Sequence, residues 1–356
     1  MRERGYEALL LTTKADIQYF TGLRTEFFES PTRPWFVVVP AKGDAVALVP
    51  EIGVPLMRRA HVGEIRAWAS PNPRDEGVSL LAQALRETAG KGGPVAVPMQ
   101  PGTTLGFSLG DFLRLRDGFD WRDDGGLVRD LRMVKSEGEI AAIRQTCVIA
   151  DRAFARVPDI AHAGMALDDV FRRFRMALHE EGADEVRYLA GAAGQGGYED
   201  VISPATQAPI REGDVLMLDT GAVRGGYFCD FDRNFAIGEP SDAVRDAHRT
   251  LREATLAGAE AMKPGATCAD VHAAMVAAGC DPAGRAGHGL GLQLTEPPSI
   301  ARNERTVLRE NMVMTIEPVV ALGDGRIMVH EENVVVREGG VDWFTGPPGT
   351  ELGAIP

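Results

Sequence analysis

Short apolar runs and longer amphipathic stretches alternate over the first third of the chain. ALLLT at 8–12, WFVVVP at 35–40 and AVALVP at 45–50 are β-rich runs of strand length, and VSLLAQALRETAG at 78–90 has helical spacing. Strands mixed with helices predict a smaller α/β first domain. The polar, glycine-bearing WRDDGGLV at 121–128 predicts its end, dividing the chain into 1–127 and 128–356. Beyond it the period changes. SEGE at 136–139 reads as a capping box, Ser136 being the N-cap and Glu139 reaching back, and Ile140, Ile143, Cys147, Ala150 and Phe154 then fall on one helical stripe. Further helices are predicted over 166–182, 241–262 and 268–278, between segments rich in glycine and proline. No low-complexity tract or short repeat is present in the sequence, which excludes a solenoid.

Two later stretches predict hairpins that carry acids. In VLMLDTGAVRGGYFCDFDRNFAIG a turn at Arg224-Gly225 places Asp219 opposite Asp230, and in TIEPVVALGDGRIMVHEENVVV a turn at Gly323-Asp324-Gly325 places Glu317 opposite Glu331. Opposed residues hold their Cβ atoms about 4.5–5.5 Å apart, and like charges at that separation repel. The flanking runs (Val313, Ile316, Val319, Val320 and Val334 to Val336) are apolar enough to be buried, where an unpaired carboxylate is costly. A single acid on a strand is ordinarily solvated. Four acids in two matched pairs instead require cations among them. Oxygen-rich ligation with one imidazole suits two divalent ions (manganese, iron, cobalt or zinc) and does not suit a closed structural zinc site. His288, bracketed by Gly287 and Gly289 where backbone can approach closely, is the expected nitrogen ligand. Two such ions sharing a water and polarising a carbonyl make a hydrolytic device.

Composition narrows the partners. At 356 residues, 44% hydrophobic and 25% charged, the chain suits two globular domains. No apolar run approaches the roughly 18–20 residues of a membrane span, and the opening MRERGYEALLLTTKAD does not read as a signal peptide, so a cytoplasmic protein that does not use a membrane is expected. Cys147, Cys229, Cys268 and Cys280 show no CxxC spacing, which predicts buried free thiols and no zinc knuckle or disulfide framework. A net charge of −13 repels nucleic acid, leaving a small molecule or a peptide as the expected partner.

These residues resemble the creatinase, prolidase and aminopeptidase P superfamily, which also contains methionine aminopeptidase and has the pita-bread fold. Asp219, Asp230, His288, Glu317 and Glu331 fall on the five metal-ligand positions of its metallopeptidases, and the steps of 11, 58, 29 and 14 residues between them are similar to those of compact prokaryotic Xaa-Pro dipeptidases. RMVKSEGEIAAIR at 132–144 is similar to the helix that opens the family's catalytic domain, and YFTG at 19–22 sits where the N-terminal domain carries such a motif. The resemblance implies an α+β chain: a pita-bread catalytic domain preceded by a creatinase-type α/β domain. It also implies a homodimer in which the first domain covers the partner's active site, and Glu317 as the catalytic general base and then acid.

The chain departs from the family at several positions. Thr295 stands where the peptidases have a histidine, seven residues after His288, and near Ile202 a second histidine is absent. Val329 replaces an arginine, and Asp232 replaces a threonine and shares a face with Asp230, where the expectation is an additional outer-shell ligand or general base, the alternative being a solvated or salt-bridged acid. His330 is expected to point away from Glu331 because successive strand residues alternate faces. Losing one charge-stabilising donor typically costs about 10²–10³ in rate, so Thr295, able to donate only a weaker hydrogen bond, implies a substrate unlike an ordinary X-Pro peptide. Arg33 in RPWFVVVP resembles the creatinase arginine that grips a substrate carboxylate. The leading expectation is hydrolysis of an amide in a dipeptide or dipeptide-like small carboxylate. A dimethylsulfoniopropionate-type lyase, a creatinase-type C–N hydrolase and a non-catalytic binding module are the alternatives.

Overall fold

A computed structural model describes residues 1–30 and 32–356, which form two compact units, Met1–Arg132 and Met133–Pro356. The division falls at the end of the helix Leu127–Met133.

The first unit is built on a six-stranded mixed sheet of β1 (Ala8–Leu11), β2 (Phe36–Pro40), β3 (Val46–Pro50), β4 (Glu64–Trp68), β5 (Pro94–Val97) and β6 (Asp120–Asp123), in the order β4-β3-β2-β1-β5-β6. Both faces are covered, which explains why β1 is apolar at every position and does not alternate. Leu10 packs with Phe36, Leu48 and the helix Val78–Ala89 through Leu81 and Leu85. Leu9 and Leu11 face the other way, against Ile17, Trp35 and Met57. The three expected strands and the helix over 78–90 are all present, whereas β4 and β6, which carry charged residues along their length, gave no apolar signal.

The second unit contains two further sheets. One runs β18-β10-β8-β7, from β7 (Glu185–Gln195), β8 (Asp214–Arg224), β10 (Phe231–Ile237) and β18 (Gly353–Ile355), with the short β9 (Tyr227–Phe228) also on β8. The helices Glu137–Phe154 and Leu167–Glu180 cover it, and Phe154 lies 4.7 Å from Phe174 and 5.2 Å from Phe231 between ring centroids. Fully burying one such side chain is worth about 1.5–3 kcal/mol. The expected capping box opens the first of these helices, Ser136 accepting from the Glu139 N–H and Glu139 from the Ser136 N–H. The other sheet runs β12-β11-β13-β16-β17, from β11 (Arg285–Gly289), β12 (Glu296–Ala301), β13 (Val313–Ile316), β16 (Glu332–Arg337) and β17 (Gly340–Trp343). It packs on the helices Asp242–Ala261 and Cys268–Ala277 through Ala254, Val271, Met275, Met314 and Val334. A two-stranded ribbon of β14 (Val319–Gly323) and β15 (Arg326–Val329) extends from β13 and β16.

Helices outside and sheets inside give this unit an α+β architecture in which β8, β10, β11, β13 and β16 bring their acids and histidine together. All four cysteines are buried and free. Among the described residues no helix is long and apolar enough to cross a membrane.

Candidate metal centre

The first acidic ribbon turns one residue later than its sequence suggested. Gly225 and Gly226 have φ of 63° and 87°, so the two-residue turn needs positive φ at both positions, and only Gly-Gly, not Arg-Gly, supplies that without strain. Arg224 therefore pairs with Tyr227, and the ladder carries Asp219 opposite Asp232, not opposite Asp230. The expected Asp219–Asp230 pairing is corrected accordingly. Because the slip moves the partner by two residues, Asp230 stays on the same face. Its backbone is held from another sheet: the Asp230 N–H donates to Asn333 Oδ1 at 3.0 Å, and the Asn333 amide donates back to the Asp230 carbonyl.

The second ribbon keeps the expected register by a different turn. Asp324 and Gly325, both at positive φ, make the turn, and a bulge between Ala321 and Gly323, with Gly323 also at positive φ, takes up the extra residue. Val319 then faces Val329, and on the other side Ile316 faces Glu332. Glu317 and Glu331 lie opposite one another between these pairs, next to the 3.1 Å bond from the His330 N–H to the Pro318 carbonyl.

His288 enters on β11. A Cβ at position 287 would lie 2.3 Å from the Thr315 carbonyl oxygen, so glycine there lets β11 close onto β13. The His288 N–H donates to Thr315 Oγ1 at 3.1 Å. Its Nδ1 lies 2.9 Å from the Gly289 carbonyl, which can only accept, so Nδ1 carries the proton and Nε2 presents a lone pair. That lone pair faces two carboxylates, Asp230 Oδ2 at 3.3 Å and Glu331 Oε1 at 3.8 Å.

Asp230, His288 and Glu331, all buried, bring one ligand atom each within 4.8 Å of one another. Asp219 and Glu317 lie outside this tight trio but close enough to act on it. Burial, with the Glu317 charge next, pushes the Asp219 carboxyl up to about 7. Burial and then Asp219 push Asp230 well up; burial and then Asp230 do the same to Glu331. Burial, helped by Arg285, holds His288 down to about 4, so the imidazole is neutral and offers no counter-charge at neutral pH. Asp219 Oδ1 and Glu331 Oε1 are buried without a hydrogen-bond donor. Unpaired carboxylate oxygens around a neutral imidazole lone pair fit divalent cations, which satisfy all of these groups at once.

The surroundings contain groups that the sequence reading did not single out. The Tyr188 hydroxyl donates to Asp219 from β7, a strand hidden in sequence by its Gly and Ala content. Arg285, three residues before His288, sets its Nε 4.0 Å from Glu317 Oε2 at the exposed edge of the cluster, Glu317 being about a third exposed at 34%. Lys135 forms a buried ion pair with Glu296 at 3.1 Å, and the Gln293 N–H donates to the other oxygen of Glu296, which ties down the loop after His288. Thr295, on that loop, is exposed, while its neighbour Leu294 packs over Gly221 of β8. Ile202 is also exposed, at 77%. His330 faces away from the trio: its Nε2 is 3.2 Å from Glu332 Oε1 and its Nδ1 4.0 Å from Asp232 Oδ1. In the first unit, the Arg33 guanidinium lies over the Phe27 ring at 5.4 Å.

Residues 141–338 match the model of metallopeptidase family M24, and residues 1–134 that of the Creatinase/Prolidase N-terminal domain. The probable dipeptidase PepE of Mycobacterium tuberculosis is 31% identical over 346 residues, covering 94% of this chain and 88% of that protein. The Xaa-Pro dipeptidase of Pyrococcus furiosus is 25% identical over 356 residues, covering 97% and 95%. The crystal structure of dipeptidase PepE from Mycobacterium ulcerans aligns with a TM-score of 0.84 at 27% identity, covering 100% of this chain and 95% of that one.

Proposed function

Since the chain belongs to metallopeptidase family M24 and is a metallohydrolase with a creatinase-type N-terminal domain, we propose that it is a dinuclear enzyme cleaving the amide bond of a dipeptide or dipeptide-like small carboxylate. The observation that carries this reading is the buried trio of Asp230, His288 and Glu331, with donorless oxygens on Asp219 and Glu331 beside it. Asp219, Asp230, His288, Glu317 and Glu331 would hold two divalent ions of the manganese, iron, cobalt or zinc class. Bound there, such ions would supply an acidified water as nucleophile and would polarise the scissile carbonyl.

The chain's own groups do the rest. Glu317 is about a third exposed, and it takes the proton from the attacking water and returns it to the leaving amine. Arg285, beside it, holds the Glu317 carboxylate in place. Thr295 donates one hydrogen bond to the substrate where a histidine would do more, and Arg33, reaching in from the other protomer of a homodimer, binds its carboxylate with a planar fork. The working form is a cytoplasmic homodimer. The similarity to the named dipeptidases of Mycobacterium and Pyrococcus supports the substrate class.

Exposed Thr295 and Ile202 in place of the two histidines favour one rival, a lyase acting on a small sulfonium carboxylate. Elemental analysis of reconstituted protein, with assays on X-Pro dipeptides, N-acyl amino acids and dimethylsulfoniopropionate, tests the reading. Two transition ions per chain and amide cleavage abolished by a chelator are expected. No bound ion, no amide turnover, or release of dimethyl sulfide would overturn it.

A further inference from the structure

The corrected register of the first ribbon brings the additional acid, Asp232, directly against Asp219. Asp232 is directly opposite Asp219 across β8 and β10, and it shares a face with Asp230, two residues earlier. Directly opposed carboxylates destabilise a sheet unless a positive charge lies between them. Asp232 is 2% exposed, and its Oδ1 is buried without a hydrogen-bond donor, as are Asp219 Oδ1 and Glu331 Oε1.

The cations near Asp232 do not satisfy that oxygen. Arg233, next in sequence, is turned away: it donates to the main-chain carbonyls of Asp232 and Glu331 and forms an ion pair with Glu332 at 3.0 Å. His330 stops at 4.0 Å from Asp232 Oδ1, beyond hydrogen-bond reach. Its other nitrogen is tied to Glu332, which is itself held by Arg233 and by the Thr345 hydroxyl. Buried Glu332, held in turn by Arg233 and Thr345, thus keeps the imidazole on its own side and off the Asp232 oxygen.

The geometry points to Asp232 as a sixth protein ligand, acting on the ion held by Asp219. This rests on the dinuclear reading above. One more carboxylate raises the oxygen count and coordination number on that side. It therefore favours an octahedral, oxygen-preferring ion such as Mn²⁺ over tetrahedral Zn²⁺.

Calorimetric titration of the metal-free, full-length protein with Mn²⁺ and with Zn²⁺ tests it, comparing wild type with Asp232→Asn and Asp232→Thr. Two Mn²⁺ per wild-type chain are expected. In both variants one of the two should bind at least about tenfold more weakly, the lower bound for a lost outer-shell partner, with a smaller change for Zn²⁺. Wild type that binds no Mn²⁺ or Zn²⁺ removes the metal reading itself. Wild type that binds two Mn²⁺, with variants that bind both equally well, overturns the role of Asp232 alone. Should the variants fail to fold, a crystal structure of manganese-loaded wild type decides. An Asp232 oxygen within about 2.0–2.2 Å of an ion, the usual metal–carboxylate bond length, upholds the assignment, and one held outside bonding distance of both ions refutes it.

Discussion

The two acidic ribbons of the second unit look alike in sequence, yet their registers are set differently. In the ribbon of β8 and β10, two glycines fix the turn, and the acid opposite Asp219 is Asp232. In the ribbon of β14 and β15, Asp324 and Gly325 turn the chain and a bulge corrects the count, leaving Glu317 opposite Glu331. Misplacing the first turn by one residue changed the partner and left the face intact, because each residue of turn shift moves the pairing by two. Which face an acid occupies is therefore more robust to a misread turn than which acid it meets. The acids also differ in access: Asp230, Asp232 and Glu331 are buried, while Glu317 stands about a third exposed at 34%. The buried acids supply fixed charge, and Glu317 is a group that can meet solvent and substrate.

The sharpest test of that division is Glu317→Gln, which keeps the shape and removes the proton acceptor. It should lower kcat on the best amide substrate by about 10²–10⁴-fold while thermal melting of the protein changes little, since the side chain is partly solvated. Steady-state kinetics beside a melting curve would check it. A variant that retains wild-type kcat would move the proton-transfer role to another residue.

The next effect in size concerns what the ribbons share. In metal-free protein Asp219, Asp230 and Glu331 have carboxyl pKa values above their unfolded ones, so the folded state binds more protons than the unfolded state across the window from about 4 to about 7 set by Asp219. Stability contributed by these acids is complete below that window and is lost as pH rises through it. Chelated protein should therefore unfold at lower urea at pH 8 than at pH 5, by about 1.4 kcal/mol for each unit of upward shift. Added metal should reverse the trend, because ligands must shed protons to bind. Asp219→Asn on one ribbon and Glu331→Gln on the other should each flatten the metal-free profile; flattening by only one would break the equivalence of the two ribbons as hosts.

Most of the centre was legible because it depends on local signals. Strongly apolar runs marked β8, β10, β13 and β16, and face parity placed the acids on or beside them whatever the turn. The capping box at Ser136 and the glycines around His288 likewise had local causes, the latter a close approach of β11 to the Thr315 carbonyl. What escaped depends on partners distant in sequence. Lys135 meets Glu296 from 161 residues away, and Asn333 holds the Asp230 backbone from 103 residues away, with no periodicity to announce either. Tyr188 was hidden for another reason. β7 lacks an apolar pattern because a Cβ at Gly191 would lie 2.1 Å from the Met217 carbonyl oxygen, so small residues replace the branched ones that mark a strand.

The smallest expected effect bears directly on how each register is set. Gly226 has φ of 87°, where an L-residue is strained, so Gly226→Ala should destabilise the second unit by about 1–2 kcal/mol. Asp324 already occupies positive φ, at 51°, and its exposed ion pair with Arg326 at 3.1 Å adds little. Asp324→Ala should therefore cost under about 1 kcal/mol, since the backbone conformation is one that a side chain already adopts there. Urea midpoints for the two variants, measured with metal bound, separate the cases. A larger loss at Asp324 than at Gly226 would mean that the second ribbon, not the first, depends on its turn for register, and that its bulge follows from the turn instead of compensating for it.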